Sequence, residues 1–198
     1  MKKEIDARGE LCPKPVIMTK KELDKDENTL VTTIVDNEVA KDNISKLAAS
    51  YGYKFTIDAG KDSDYYVNIS KDGSITPENT CLPDTFKDLT LAIGSDKMGG
   101  GDDALGKILM NSFMYTVRET SPWPKTIVLF NSAVYLACDG SEVLDDLQAL
   151  ESEGVEIISC GTCLDYYKIN DQLKVGEIGN MYTIYEKMAN SNNTINIE

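Results

Sequence analysis

The sequence predicts an α/β protein of two domains, and two patterns of secondary structure indicate this architecture. Over about the first 70 residues, strand and helix signals follow the order β-α-β-α-β-β. That order is typical of a two-layer sandwich with two helices on one face of a mixed sheet. From residue 89 onward strands and helices alternate, which favours a mainly parallel sheet. We therefore expect domains at 1–72 and 89–198, joined by a linker at 73–88 that is rich in turn-forming residues.

The first domain is predicted from β-branched runs and helical spacing. Residues 29–35 form a run rich in Val, Ile and Thr that is typical of a strand. Asp36 and Asn37 then precede a helix whose residues at helical spacing are Ala40, Ile44, Leu47, Ala48 and Tyr51. We also expect strands at 5–7, 53–57 and 65–69, and a helix at 16–23.

The second domain opens with a short apolar strand at 89–93, of the kind found in sheets covered on both faces. A long helix at 102–119 follows, and its expected buried face consists of Leu105, Leu109, Phe113 and Thr116. The remaining expected elements are strands at 126–130, 155–158 and 194–197, and helices beginning at Ser141, Cys160 and Met181.

The charge of the chain limits its partners. The net charge is −13, and it is uneven, because residues 1–72 carry 12 basic and 14 acidic side chains while residues 73–198 carry 8 and 19. A chain this acidic repels phosphate groups, so we expect it to bind neither nucleic acid nor anionic membranes. No apolar run approaches the length of a membrane span and no secretion signal opens the sequence, which predicts a cytoplasmic protein.

The chain contains five cysteines and no histidine. An odd number of cysteines without an export signal favours free thiols over a disulfide framework. The lack of histidine excludes Ser-His-Asp and Cys-His pairs, an imidazole base and histidine-ligated metals. Covalent chemistry in this chain therefore depends on thiols.

Cys12 stands directly ahead of the first predicted helix and is followed by Pro13 and Pro15. Proline suits the first turn of a helix, so Cys12 is expected at the N-cap or just before it. There, unpaired N–H groups and the positive end of the helix dipole would face the sulfur. A thiol at such a position can have its pKa lowered to roughly 3.5–7.5.

The neighbours of Cys12 favour solvent access. Glu10 and Lys14 flank it, and we expect Lys14 and Arg8 to add positive charge at the sulfur. The alternative is a buried structural cysteine, which is common for this residue type.

A second group of thiols is expected at the edge of the C-terminal sheet. Ligands of open parallel sheets gather at the carboxyl ends of the strands, where 94–101, 131–139 and 159–163 should meet. The last of these segments contains Cys160-Gly-Thr-Cys163. In such a pair one thiol can have a lowered pKa and the other can resolve a mixed disulfide or persulfide. Structural thiols and a metal site are the alternatives.

The two other cysteines carry weaker signals. A zinc site would need both Cys81 and Cys138, at spacings that match no common zinc module. Cys81 lies in the predicted linker and is interpreted as incidental, whereas Cys138 follows an apolar stretch, so burial and participation are both open.

The segment Gly99-Gly-Gly-Asp-Asp-Ala104 satisfies the dinucleotide pattern G-x-G-x-x-A. Asp102 and Asp103 would place negative charge where a pyrophosphate lies, and no acid follows the second strand to bind a ribose. We therefore favour a glycine turn whose acids cap the next helix, and we expect no bound cofactor and no metal.

These residues are similar to those of known sulfur-transfer families. The first domain, with Cys12-Pro13-Lys14-Pro15, resembles the TusA (SirA-like) sulfur-carrier family, which implies a persulfide on Cys12. The second resembles the DsrE/DsrF-like family, whose members pass sulfane sulfur and often form homo-oligomers. That resemblance implies Cys160 as acceptor and Cys163 as resolving thiol. With residues 94–98, 105–106 and 160–167, the whole chain resembles the YedF-type selenium metabolism family.

The resemblance implies a carrier, sulfurtransferase-like, that takes sulfur or selenium from a cysteine desulfurase or another donor protein and passes it to an acceptor protein. No residue distinguishes selenium from sulfur, and enzymatic turnover is left open. Two alternatives remain: a non-catalytic oligomeric adaptor, and a redox switch through Cys160 and Cys163.

Overall fold

The chain divides into two units, Met1–Thr80 and Cys81–Glu198, in a computed structural model that describes residues 2–25, 29–60, 64–71 and 86–198. Most of the expected linker, residues 73–85, lies outside the described residues, as does Cys81. The first strand of the second unit begins at Phe86 rather than at residue 89, so the last part of the expected linker is strand.

The first unit is a four-stranded mixed sheet with two helices, which confirms the expected βαβαββ order. Strands β1 and β2 are parallel, whereas β4 runs antiparallel to both β2 and β3, and the strand order is β1-β2-β4-β3. The elements are β1 (Lys2–Asp6), α1 (Lys14–Leu23), β2 (Leu30–Val35), α2 (Glu38–Ser50), β3 (Lys54–Ala59) and β4 (Tyr65–Ser70).

The core of the first unit lies between its helices and the sheet. Asn37 caps α2, since its Oδ1 accepts a hydrogen bond from the Ala40 N–H at 2.8 Å. The fully buried side of α2 consists of Ala40, Ile44 and Ala48, as the helical spacing indicated. These residues pack with Val31, Val67 and Ile69 of the sheet.

The second unit is built on a five-stranded sheet in which every pair of neighbouring strands is parallel, in the order β8-β7-β6-β5-β9. This confirms the expected parallel α/β architecture. The strands are β5 (Phe86–Ile93), β6 (Trp123–Leu129), β7 (Glu156–Cys160), β8 (Glu177–Gly179) and β9 (Asn193–Ile197). Strand β8 is not predicted by the sequence, because its three residues, Glu177–Gly179, are too few to show a periodicity.

The helices of the second unit are α3 (Asp103–Glu119), α4 (Leu144–Ser152), α5 (Gly161–Tyr167) and α6 (Met181–Asn190), and a 3-10 helix covers Asn131–Ala137. Two further boundaries differ from expectation by three residues. Strand β6 begins at Trp123, three residues early, and α4 begins at Leu144 rather than at Ser141. The Ser141 hydroxyl instead accepts the Val143 N–H at 3.3 Å, within the turn that precedes α4.

The predicted buried face of α3 is wrong by one residue. The helix buries Gly106, Met110 and Met114, whereas Leu105 and Leu109 are 53% and 42% exposed. Gly106 allows a close approach, because a Cβ there would lie 2.9 Å from the Lys97 Cβ. Apolar side chains at helical spacing therefore remain on the outer face of α3.

Candidate functional site

The sulfur of Cys12 is exposed and lies just before α1, whose N-cap residue is Pro13. This confirms the expected position of the thiol ahead of the helix. Pro15 is buried in the first turn of α1, and its carbonyl accepts a 2.7 Å hydrogen bond from the Thr19 hydroxyl. The second proline of the motif thus anchors the segment that presents the thiol.

The expected set of unpaired N–H groups is not present at the start of α1. Pro13 and Pro15 have no N–H group to offer. The Lys14 N–H donates to the Leu11 carbonyl at 3.0 Å, and the Val16 N–H donates to the Pro13 carbonyl at 3.0 Å. The same prolines that predict a helix start therefore remove donors from it.

The donor that reaches the Cys12 sulfur comes from another helix. The side-chain amide of Asn43, in α2, donates from Nδ2 to Cys12 Sγ across 3.4 Å. Sequence reasoning missed Asn43, because nothing in its local pattern indicates which neighbouring helix it faces.

The two basic residues proposed to support Cys12 have carboxylate partners. Arg8 forms hydrogen bonds to Asp6 at 2.9 and 2.7 Å and to Asp64 at 3.1 Å, and Lys14 pairs with Glu10 at 3.2 Å. The hydrogen bonds from Arg8 lower the pKa of Asp6 to about 2. A direct effect of Arg8 or Lys14 on the thiol stays a prediction.

In the second unit, the carboxyl ends of the strands meet as expected. The Asn131 N–H, just beyond β6, donates to Cys163 Sγ at 3.1 Å, and the Asp96 N–H donates to the Ser132 hydroxyl at 3.1 Å. All three expected segments, 94–101, 131–139 and 159–163, are therefore joined at one edge of the sheet.

The two thiols of the Cys160–Cys163 pair have different environments. Cys160 is the last residue of β7 and is only 1% exposed, whereas Cys163 lies in α5 and is partly exposed. Burial, followed by the hydrogen bond with Cys160, raises the pKa of Cys163, and the Asn131 N–H opposes this in part. Cys163 is therefore not the thiol of lowered pKa, and the expectation that one thiol of this pair has a lowered pKa stays a prediction.

A group of three tyrosines adjoins Asn131, whose N–H contacts Cys163. The Tyr167 hydroxyl donates to Asn131 Oδ1 at 3.0 Å. Its ring lies 4.9 Å from that of Tyr135 and 5.2 Å from that of Tyr166, measured between centroids. Tyr135 also lines an open cleft of about 380 Å³ whose charged residues include Asp96 and Lys107.

Cys138 is a buried thiol. It is 1% exposed and donates its S–H to the Val134 carbonyl at 3.2 Å. Burial raises its pKa, which is the behaviour of an unreactive structural cysteine.

The glycine-rich segment before α3 is a capped turn, as expected. Asp102 is the N-cap and accepts the Leu105 N–H at 2.9 Å, and Asp103 pairs with Lys97 at 2.6 Å. The Gly99 N–H donates to the Glu198 carbonyl at 2.7 Å. Across the parts of the chain that the structure describes, no three side chains of Cys, Asp or Glu are grouped as a metal site.

The first unit matches known sulfur-transfer proteins. Residues 3–71 match the model of the family described as sulfurtransferase TusA. A candidate sulfur carrier protein of Methanocaldococcus jannaschii is 31% identical over 70 residues, which cover 35% of this chain and 93% of the relative. The chain belongs to the TusA family. Membership supports a role in sulfur relay, with proteins that donate and accept sulfur as partners.

Solved structures resemble parts of this TusA-family chain. The SirA-like protein of Desulfitobacterium hafniense is 34% identical, with a TM-score of 0.34, and the match covers 35% of this chain and 96% of that one. The ychN protein of E. coli is 15% identical, with a TM-score of 0.45, and the match covers 57% of this chain and 100% of that one. None of the helices within the described ranges is long and apolar enough to cross a membrane.

Proposed function

We propose that this chain is a carrier of sulfane sulfur, or of selenium, and that Cys12 is the residue that carries the group in the first unit. The observation that supports this most is the exposed Cys12 thiol, placed directly before α1 within the segment that matches the TusA family. An exposed thiol is what transfer between two proteins requires, because both the donor and the acceptor must reach the sulfur.

The proposed reaction is an exchange between thiols. The Cys12 thiolate attacks the terminal sulfur of a persulfide on a donor protein, such as a cysteine desulfurase. The S–S bond of the donor breaks, and the donor leaves as a thiolate while Cys12 keeps the terminal sulfur. A thiolate of a downstream acceptor protein then attacks that sulfur and Cys12 leaves. A selenium donor would react in the same way.

The second unit would supply two further thiols that accept the sulfur, Cys160 and Cys163. Its parallel sheet is consistent with the DsrE/DsrF-like resemblance, and the full arrangement with the YedF-type selenium metabolism family. The relay would act in the cytoplasm, because its chemistry needs reduced thiols. The four cysteines within the described residues, including Cys12 and Cys138, are free.

The second unit is also proposed to form homo-oligomers. Three apolar side chains on the outer face of α3, Leu105, Ile108 and Leu109, are 53%, 61% and 42% exposed. An exposed apolar group of this kind is typical of an interaction surface.

The test of the carrier function is intact-protein mass spectrometry after incubation with a cysteine desulfurase and cysteine. We expect the wild-type chain to gain the mass of sulfur, and we expect the Cys12→Ser variant to lose the addition made in the first unit. The Cys138→Ser variant is the matched control, because that thiol is buried. A Cys12→Ser variant that gains as much sulfur as the wild type would contradict the proposal, and unmodified wild-type protein would favour an adaptor.

A redox switch is the second candidate, because Cys160 ends β7 and Cys163 lies in the first turn of α5, the helix that follows directly. A switch predicts that mild oxidation changes the gel mobility of the chain, that this change needs both cysteines, and that it persists in Cys12→Ser.

A further inference from the structure

The two thiols of the Cys160–Cys163 pair differ in the access that they offer to another molecule. Cys160 ends β7 with 1% of its surface exposed, whereas Cys163, in α5, is partly exposed. A persulfide on another protein reaches only a thiol at the surface. The accessible thiol is therefore Cys163, and not Cys160, to which the family resemblance gives the acceptor role.

Cys163 also receives a donor from outside its own helix. The Asn131 N–H points at Cys163 Sγ across 3.1 Å. Asn131 has a φ of 51°, a left-handed backbone that Asn and Gly adopt more readily than other residues. A hydrogen bond from an N–H group to an ionised sulfur stabilises its charged form.

The side chain of Asn131 is itself held in place. Its Oδ1 accepts the Tyr167 hydroxyl at 3.0 Å, and the Tyr167 ring packs against Tyr135. Tyr167 lies at the end of α5, the helix that contains Cys163. Helix α5 and the segment after β6 are thus joined by two hydrogen bonds, one from Asn131 to Cys163 and one from Tyr167 to Asn131.

We propose that Cys163 is the thiol at which sulfane sulfur enters the second unit, that Cys160 is the buried resolving thiol, and that Asn131 is the positioning residue for Cys163. This assignment rests on the proposed carrier function and exchanges the roles that the resemblance implies for the two cysteines.

The reaction has two steps. The Cys163 thiolate attacks the terminal sulfur of a persulfide or polysulfide, the donor S–S bond breaks, and the donor leaves as a thiolate or shorter polysulfide. Cys160 passes its proton to the added sulfur and attacks Cys163 Sγ. The bond from Sγ to the added sulfur breaks, and hydrosulfide leaves with the electron pair. The two cysteines are oxidised to a disulfide as the added sulfur is reduced, and a dithiol reductant restores the pair.

The first test measures alkylation of the reduced, full-length chain by iodoacetamide over a range of pH, with peptide mass spectrometry. Cys12 is the exposed internal reference and Cys138 the buried one. We expect Cys163 to be labelled before Cys160, and its initial rate to rise with pH through the alkaline range. Initial labelling of Cys160 at the rate of Cys163 or faster would overturn the assignment.

The positioning role of Asn131 is tested with Asn131→Ala and Asn131→Gly. Alanine disfavours the left-handed backbone that aims the N–H, whereas glycine permits it. We expect Asn131→Ala to move the Cys163 profile to higher pH and to slow labelling at pH 8 by about threefold to tenfold. We expect a smaller shift in Asn131→Gly and an unchanged rate at Cys12.

Tyr167→Phe provides a second variant that keeps the Asn131 backbone and removes only the hydroxyl. This variant should also move the pH profile of Cys163 labelling to higher pH, by less than Asn131→Ala does. Labelling of Cys138 reports unfolding in every variant. The positioning role is overturned if Asn131→Ala folds and keeps the wild-type pH profile of Cys163 labelling. If Asn131→Ala does not fold, the same result in Tyr167→Phe overturns it.

The second test loads inorganic polysulfide onto a chain carrying Cys12→Ser and Cys81→Ser, so that its outcome does not depend on the first unit. With the pair intact, we expect release of sulfide and formation of the Cys160–Cys163 disulfide. Adding Cys160→Ser should leave one extra sulfur on Cys163, and adding Cys163→Ser should abolish uptake. Uptake that persists in Cys163→Ser and disappears in Cys160→Ser overturns this inference while leaving the role of Cys12 intact.

Discussion

The side-chain amide of Asn43 lies 3.4 Å from the sulfur of Cys12 and donates to it from α2, the helix that follows the next strand. The hydrogen-bond donor to the sulfur thus comes from residues far along the chain, while the N–H groups of α1 are absent or bonded to backbone carbonyls.

Replacing Asn43 should slow the reactions of Cys12. A hydrogen bond is worth about 0.5–1.5 kcal/mol, so Asn43→Ala should lower the rate of sulfur loading by about twofold to tenfold. Asn43→Asp should lower it further, because a carboxylate repels a thiolate. The rate is measured by mass spectrometry at short times. Ser45→Ala is the matched control, since that hydroxyl bonds to the Lys41 carbonyl. Equal rates in Asn43→Ala and wild type would contradict the prediction.

Arg8 should keep the pKa of Asp6 below its ordinary value. The Arg8 hydrogen bonds lower the pKa of Asp6 from 3.8 to about 2. A group whose pKa is lowered on folding stabilises the fold above its unfolded value, and that contribution is lost as pH falls from about 4 towards 2. In Arg8→Ala we expect the Asp6 pKa to return towards 3.8, measured by carbon NMR of the carboxyl group. The control is Lys14→Ala, which removes the partner of Glu10 and should leave the pKa of Asp6 unchanged.

The outcome that contradicts this prediction is an Asp6 pKa near 2 in the Arg8→Ala chain. A role of Arg8 at Cys12 is tested with the same variant. A lower loading rate with unchanged stability at neutral pH would support a direct effect on the thiol.

The buried face of α3 predicts a contrast between adjacent residues. Met110 is fully buried, so Met110→Ala should lower the free energy of unfolding by about 2–5 kcal/mol. Leu109 is 42% exposed, so Leu109→Ala should cost clearly less. Urea unfolding followed by the fluorescence of Trp123, the only tryptophan, measures both. A larger loss in Leu109→Ala would mean that this leucine is buried in solution, for example by association.

The outer face of α3 predicts the oligomeric state. Ile108→Lys places a charge in the middle of the exposed apolar group, so it should shift the chain towards the monomer without unfolding it. Light scattering coupled to size exclusion gives the mass at several concentrations. Lys107→Glu, an adjacent change of charge outside this apolar group, is the control. An unchanged mass in Ile108→Lys would exclude this face as the interface.

Cys138 should be dispensable for sulfur transfer. Because its thiol is buried and bonded to the Val134 carbonyl, Cys138→Ala should cost about 1 kcal/mol of stability and leave sulfur loading unchanged. Thermal unfolding and mass spectrometry give the two quantities. A loss of loading in a folded Cys138→Ala chain would place this thiol in the relay.

Much of the fold was predictable from the sequence because helices and strands are signalled locally. The β-branched run of β2 and the capping residue Asn37 each depend on a few neighbouring residues, and both were recognised. Strand β8 has no such signal, because its three residues, Glu177–Gly179, pair with β7 without any pattern of their own. The spacing of apolar residues predicts the wrong face for α3, because hydropathy cannot show that Gly106 lets the helix approach Lys97.

Local signals in the sequence are enough to predict the two α/β units, the position of Cys12 before a helix and the Cys160-Gly-Thr-Cys163 pair at a strand end. The packing of the chain adds that Cys163 is more accessible than Cys160, that Asn43 and Asn131 donate hydrogen bonds to thiols, and that Arg8 binds carboxylates. Helix and strand signals act over a few residues, whereas burial and hydrogen-bond partners depend on segments that packing brings together.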